Sequence, residues 1–158
     1  MTTEPTVTDK LLTFLRDNQA HFDVVTHRPV TTSEEAAQVR GTPLEQGAKA
    51  LLFTADGDPV LLVLPANRRV DSRSFKTSFG VKNLAMVSAE ELRQLTGLEV
   101  GAVPPFGHLF GLATYVDEDL LTNPRLAFNA GSRSTSVLLD TADYERLAAG
   151  TRARFSRE

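Results

Sequence analysis

The stretch Lys49-Ala50-Leu51-Leu52-Phe53-Thr54-Ala55-Asp56-Gly57-Asp58-Pro59-Val60-Leu61-Leu62-Val63-Leu64 decides the fold class. Two short apolar runs, Lys49 to Thr54 and Val60 to Leu64, flank Asp56-Gly57-Asp58-Pro59. Asp-Gly supplies the positive φ angles that a tight hairpin turn needs, so the runs read as adjacent antiparallel strands. Toward the N-terminus, Leu11, Leu12, Phe14 and Leu15 give one apolar helical face between Thr8 and Asn18. Phe22 to His27 reads as a strand. Thr32 and Glu35 have capping-box spacing, with Gly41 as the stop, and Thr42-Pro43-Glu45 starts a further turn.

Toward the C-terminus, Asp71 to Phe79 reads as a helix stopped by Gly80, Leu84 to Val87 as a strand, and Ser88 with Glu91 as the cap of a helix ending at Gly97. Gly101-Ala102-Val103-Pro104-Pro105-Phe106-Gly107 is a loop, because its prolines lack the donors that a helix or central strand requires. Leu109 to Val116 reads as a strand interrupted by Gly111. Leu126-Ala127-Phe128 and Ser136 to Leu139 read as a second hairpin turning through Asn129-Ala130-Gly131-Ser132-Arg133, and Thr141 to Ala149 as a helix stopped by Gly150. Paired strands with interspersed helices predict an α/β chain of the α+β type. The expectation is one domain over residues 1–158, with a curved, mixed, mainly antiparallel sheet and helices packed around it.

Composition narrows the chemistry. The 158 residues carry no cysteine, which excludes disulfides and thiolate metal sites. His21, His27 and His108 lack metal-ligand spacing, so neither a metal nor a cofactor is expected. There is no Gly-x-Ser-x-Gly elbow and no phosphate loop between a strand and a helix. The first residues, Met1 to Thr8, are polar, and no apolar run could span a bilayer, so a cytoplasmic protein without membrane contact is expected. A net charge of −3 argues against broad nucleic-acid coating. The clusters Arg68, Arg69, Arg73, Lys76, Lys82 and Arg152, Arg154, Arg157 read as a solvated face and a frayed tail. Glu34, Glu35, Glu90 and Glu91 fall in first helical turns, where the helix dipole accounts for them.

Three features remain. Lys49 opens an apolar strand; it is either an ordinary edge lysine or a cation at the mouth of a pocket. The loop from Gly101 to Gly107 is either a rigid turn or a backbone surface facing a ligand. Asn129 to Ser132 is either a hairpin turn or a polar lining.

In their order and with their neighbours, these features resemble the YbaK/prolyl-tRNA synthetase-associated editing domains. The resemblance rests on His27-Arg28-Pro29-Val30-Thr31-Thr32-Ser33-Glu34-Glu35-Ala36-Ala37, Gly47-Ala48-Lys49-Ala50-Leu51-Leu52, the Gly-x-x-x-Pro loop Gly101-Ala102-Val103-Pro104-Pro105, and Phe128-Asn129-Ala130-Gly131-Ser132 followed by Ser136-Val137. No single segment is specific; the ordered set, from about Leu11 to Leu147, is.

The resemblance implies a trans-editing hydrolase that cleaves the ester joining a wrong amino acid to tRNA, without metal or protein nucleophile. It implies catalytic roles for Lys49 and Gly101 and a substrate-binding set of His27, Thr31, Pro105, Phe106, Asn129, Gly131 and Ser132. The partner would be the acceptor end of aminoacyl-tRNA, with a synthetase as a further candidate and a monomer as the expected state. The tract Pro104-Pro105-Phe106-Gly107 and the run Asn129 to Ser132 resemble seryl- and threonyl-tRNA editors most. Alanyl or cysteinyl editing and a non-catalytic binding homologue stand as alternatives.

Overall fold

A computed structural model describes residues 4–158, and its hairpin turns through Asp56 and Gly57, at φ of 49° and 89°. The polar start read from Met1 lies in part, at residues 1–3, outside the described residues. The elements in chain order are α1 (Val7–Asp17), β1 (Phe22–Thr26), α2 (Ser33–Arg40), β2 (Ala48–Ala55), β3 (Asp58–Pro65), β4 (Arg69–Val70), α3 (Ser72–Phe79), β5 (Leu84–Met86), α4 (Ala89–Thr96), β6 (Ala113–Asp117), β7 (Arg125–Ser132), β8 (Thr135–Asp140), α5 (Thr141–Ala148), β9 (Thr151–Ala153) and β10 (Ser156–Arg157). A 3₁₀ turn at Leu44–Gln46 precedes β2.

Local chemistry sets the helix ends. Thr32, Asp71 and Ser88 accept the backbone N–H of Glu35, Ser74 and Glu91, each at 3.1 Å, satisfying donors the first turn would otherwise leave open. In α1 the cap is Thr6, which exchanges hydrogen bonds with Asp9, and Leu11 and Leu15 on one face are fully buried. No helix among the described residues is long and apolar enough to cross a membrane.

The strands form a five-stranded sheet in the order β5-β2-β3-β6-β9, an antiparallel three-stranded sheet β1-β8-β7, and a two-stranded ribbon β10-β4. In the larger sheet β3–β6 and β6–β9 are parallel and the other pairs antiparallel. One parallel bridge, Gly47 to Ala127, joins the head of β2 to β7, so the mixed sheet expected from sequence is built in two parts that meet beside Lys49. The main core lies between the two sheets and takes in Leu52, Leu61, Phe106, Phe128, Leu139 and Tyr144. A second cluster, including Phe53, Leu62, Phe75 and Phe155, covers the opposite face of the larger sheet.

Four expectations change. Leu109 to Val116 is not one strand: Gly107–Phe110 is a 3₁₀ turn ended by Gly111 at φ +69°, and β6 starts only at Ala113. Asn129 to Ser132 is not the hairpin turn; it belongs to β7 as a bulge, and the chain reverses at Arg133-Ser134. The left-handed residue ending α5 is Ala149 rather than Gly150. Gly150 is needed for another reason, since a Cβ there would stand 2.7 Å from Val116 Cγ2.

The arginine-rich tail is also not frayed. The fully buried Asp117 carboxylate accepts the N–H of Phe155 at 3.1 Å, and Arg157 pairs in register with Arg69. Burying Phe155 supplies the driving force that a tail of arginines lacks. Phe155→Ala is therefore expected to lower unfolding free energy by about 3–5 kcal/mol in urea titration. A variant as stable as the parent would mean that residues 151–157 are not part of the core.

Candidate active site

The bridge at Gly47 places the start of β2 against β7 and opens a cleft of about 220 Å³ beside it. Its walls are the N-terminal approach and inner face of α2 (Val30 to Ser33, Ala36, Arg40), the head of β2 (Gly47 to Leu51), Ala66 after β3, the loop residues Val100, Gly101 and Val103, and Asn129. Pockets for drug-sized ligands run to roughly 300–1,000 Å³, so this one suits a small group. Its lining mixes short apolar side chains with the polar groups of Thr31, Thr32, Ser33 and Asn129.

Lys49 sits in β2 opposite Leu64. Burial holds its ammonium below the usual lysine range, opposed by Glu34 and reinforced by Arg69. Arg40, at the end of α2, is the second cation, pushed down to about 10 by burial and still charged at neutral pH. Among the described residues neither has a carboxylate at ion-pair distance. Two partly desolvated cations without a direct ion pair make the cleft receptive to an anion or to developing negative charge.

Gly101 lies at the rim with φ +87°. A Cβ there would meet nothing within 4 Å, so the backbone conformation, and not crowding by the protein, is what calls for glycine. The loop is held in place from the bulge of β7 and its turn. Asn129 Nδ2 donates to Gly101 O at 2.7 Å, Gly131 N donates to Ala102 O at 2.8 Å, and Arg133 donates through Nε and Nη2 to Val100 O at 3.0 and 2.6 Å.

Of the residues singled out from sequence, Lys49, Gly101, Thr31 and Asn129 line the cleft. His27 stands behind it, its Nε2 2.8 Å from the buried Ser136 Oγ. Gly131 acts through its backbone on the loop, where a Cβ would press on Thr8 at 3.1 Å. Ser132 turns its hydroxyl to Ser134, not to the cleft. Pro105 and Phe106 are corrections as substrate contacts. Phe106 is fully buried among Phe14, Phe128 and Tyr144, and the carbonyl of Pro105 accepts the Tyr144 hydroxyl at 2.8 Å, so both anchor the loop from below. Arg40, Ser136 and Arg133 had no assigned role from sequence. A basic residue in a last helical turn reads as dipole compensation, and only the long-range pairing of β1 with β8, continued by Val30 N donating to Arg133 O, carries α2 to where Arg40 meets Ser136. His21, Asp140 and Asp143 also converge, but Asp143 already accepts from His21 N and from Arg146, each at 2.8 Å, and Asp140 faces Arg125 at 3.2 Å.

With this fold and cleft in view, comparison with known proteins defines the class. A family model for the aminoacyl-tRNA editing domain matches residues 27–147, and the chain belongs to that family. It is similar to the multifunctional Ser/Thr-tRNA deacylase ProXp-y of Escherichia coli strain K12, at 37% identity over 153 residues that cover 94% of this chain and 92% of that one. It is 34% identical over 109 residues to YwhH, an uncharacterized protein of Bacillus subtilis, covering 68% of this chain and 69% of that one. A solved structure described as a candidate trans-editing enzyme for prolyl tRNA synthetase matches with a TM-score of 0.84 at 28% identity, over 99% of this chain and 100% of that one.

The depressed Lys49 has a measurable consequence. Between the folded and unfolded pKa of this lysine the unfolded chain binds more protons, so Lys49 makes stability rise with pH across that window and subtracts from it below. Lys49→Met removes the desolvated charge and keeps the stem. It is expected to be at least as stable as the parent near neutral pH, with the difference closing as pH approaches about 10.4, where an unfolded lysine titrates. Urea unfolding of both proteins across that range checks this; a variant clearly less stable at neutral pH contradicts it.

Proposed function

We propose that this chain is a trans-editing deacylase that hydrolyses seryl- and threonyl-tRNA in the cleft between α2, the head of β2 and the Gly101 loop. The observation that carries the reading is the juxtaposition of the unpaired Lys49 with the glycine rim in a chain of the editing family. The likeness to a Ser/Thr-tRNA deacylase over nearly the whole chain supports the choice of amino acids.

The chemistry asked of the protein is modest. Among the described residues no carboxylate or imidazole lines the cleft. The hydroxyls of Thr31 and Thr32 are engaged with Glu35, the first donating at 2.9 Å and the second accepting at 3.1 Å. Ser33 also lines the cleft, but with no carboxylate or imidazole beside it to take its proton, the lining supports hydrolysis by positioning and charge stabilisation over a protein nucleophile. In this reading Lys49 holds the negatively charged end of the tRNA or the developing oxyanion, and the Gly101 backbone brings substrate and water together. The adjacent ribose hydroxyl of the substrate assists. The small cleft excludes bulky side chains. The Thr32 hydroxyl hydrogen and the Ser33 hydroxyl, which line the cleft and have no protein partner among the described residues, can meet a substrate hydroxyl that alanine lacks, a difference of about 1–3 kcal/mol.

Steady-state deacylation of Ser-, Thr-, Ala-, Cys- and Pro-charged tRNA tests this. Serine and threonine are expected to be released fastest, and Lys49→Ala is expected to cut kcat/KM by about a hundredfold with the fold intact. Turnover of none of the five would favour a binding homologue. Alanine or proline as the best substrate would overturn the specificity, and wild-type turnover by folded Lys49→Ala would overturn the role of the lysine.

A further inference from the structure

We propose that Arg40 is the positioning residue of the cleft, fixing the side-chain amide of Asn129 in the one orientation that holds the Gly101 loop. The inference rests on the deacylase reading of the cleft and concerns a residue outside the catalytic pair.

The guanidinium spans two oxygens with its rigid fork. Nε donates to Ser136 Oγ at 2.8 Å and Nη2 to Asn129 Oδ1 at 2.9 Å. Asn129 in turn donates through Nδ2 to Gly101 O at 2.7 Å. An isolated asparagine amide has two nearly isosteric orientations, but here both neighbours select the same one. Arginine is donor only and requires the oxygen; the Gly101 carbonyl is acceptor only and requires the nitrogen. Turning the amide over would set donor against donor at one end and acceptor against acceptor at the other.

The proton inventory shows why Ser136 cannot do this alone. Its single hydroxyl hydrogen has two acceptors within reach, Asn129 Oδ1 at 3.2 Å and the ring of His27 at 2.8 Å. His27 Nδ1 lies 2.7 Å from the carbonyl of Arg28, so Nδ1 carries a hydrogen. In the neutral ring Nε2 is then an acceptor that competes for the serine hydrogen; in the charged ring it is a donor that releases it. Arg40 gives Asn129 Oδ1 a donor in both arrangements. It therefore keeps the path from α2 through Asn129 to the rim of the cleft whichever way Ser136 points. Lysine is a poor substitute: its ammonium can donate to more than one oxygen, but it ends one bond short of Nη2 and lacks the rigid fork that meets both oxygens at fixed geometry.

The test uses Arg40→Lys and Arg40→Ala in the full chain, with two readouts. The first is the side-chain NH₂ pair of Asn129 in ¹⁵N-correlated NMR, assigned with Asn129→Ser. In the parent it is expected to be shifted and protected by its bond to Gly101, and in Arg40→Lys it is expected to move to the position of a solvated amide while resonances of the two cores stay put. The second is steady-state deacylation. Here kcat is expected to fall by roughly tenfold or more while KM stays within about twofold, with partial recovery of Arg40→Ala in low-millimolar guanidinium. An unmoved Asn129 amide pair in folded Arg40→Lys overturns the proposal whether or not the protein proves to be a deacylase. An equal loss in both variants that tracks global unfolding, with no shift confined to Asn129 and residues 100–102, overturns it as well. Failure of the parent to deacylate any charged tRNA overturns the underlying reading and leaves the NMR outcome to decide the positioning role.

Discussion

A side chain at position 47 would crowd the strands around it. A Cβ there would stand 3.0 Å from Ala66 Cβ and 3.2 Å from the carbonyl of Leu44, tighter than most Cβ contacts, so the flanking backbone would have to give way by a few tenths of an ångström. The absence of that Cβ lets the chain pass between the end of β3 and the start of β7, with Gly47 O accepting from Ala66 N at 2.8 Å and the residue bridging to Ala127. That close passage joins the two sheets, sets Lys49 two residues further on, and leaves the cleft as the space between the joined strands and α2. The opposite wall depends on a second local departure from regularity. The bulge in β7 between Asn129 and Ser132 re-aims backbone and side-chain donors at residues 100 to 102, as bulges beside functional sites commonly do.

Much of this was legible in the sequence because it is local chemistry. Asp56-Gly57 specifies its turn, Thr32, Asp71 and Ser88 specify three helix starts, and Gly41, Gly80 and Gly97 their stops, all at left-handed φ. Lys49 and Gly101 stood out because a charge in an apolar strand and a glycine before prolines are anomalies that ask for a reason. What stayed hidden depends on contacts between distant residues. Arg40 and Ser136 are unremarkable where they stand, and only the long-range pairing of β1 with β8, which leads the chain into α2, makes them neighbours. Phe155 lies in a run of arginines, and its burial follows from the parallel pairing of β6 and β9 and from Asp117. Pro105 and Phe106 carried the family pattern but serve the core, which shows that a motif's spacing can reflect the support of a loop as much as the surface it presents.

The electrostatic design of the cleft follows from the same geometry. Lys49 and Arg40 are held where burial weakens their hold on protons, a cost to stability with no ion pair to offset it. Such a cost is understandable where an anionic ligand supplies the missing counter-charge. The surrounding hydroxyl and amide groups are mostly committed to one another, which leaves a pre-organised wall and few free nucleophiles. An activated ester needs little beyond that: correct placement of water, and a fixed positive charge near the oxygen that gains negative charge.

The measurement that tests this account most directly is an NMR titration of the full chain with a non-hydrolysable acceptor-end analogue that keeps the terminal phosphate, 3′-seryl-amido-3′-deoxyadenosine 5′-monophosphate. The account predicts shifts concentrated at Thr31, Lys49, Gly101 and Asn129, with the resonances of Phe106 and Tyr144 in the core unmoved, and loss of the footprint in Lys49→Ala. Shifts centred elsewhere on the surface, or an unchanged footprint in that variant, would contradict the assignment of this cleft as the place where the aminoacyl end of tRNA is held.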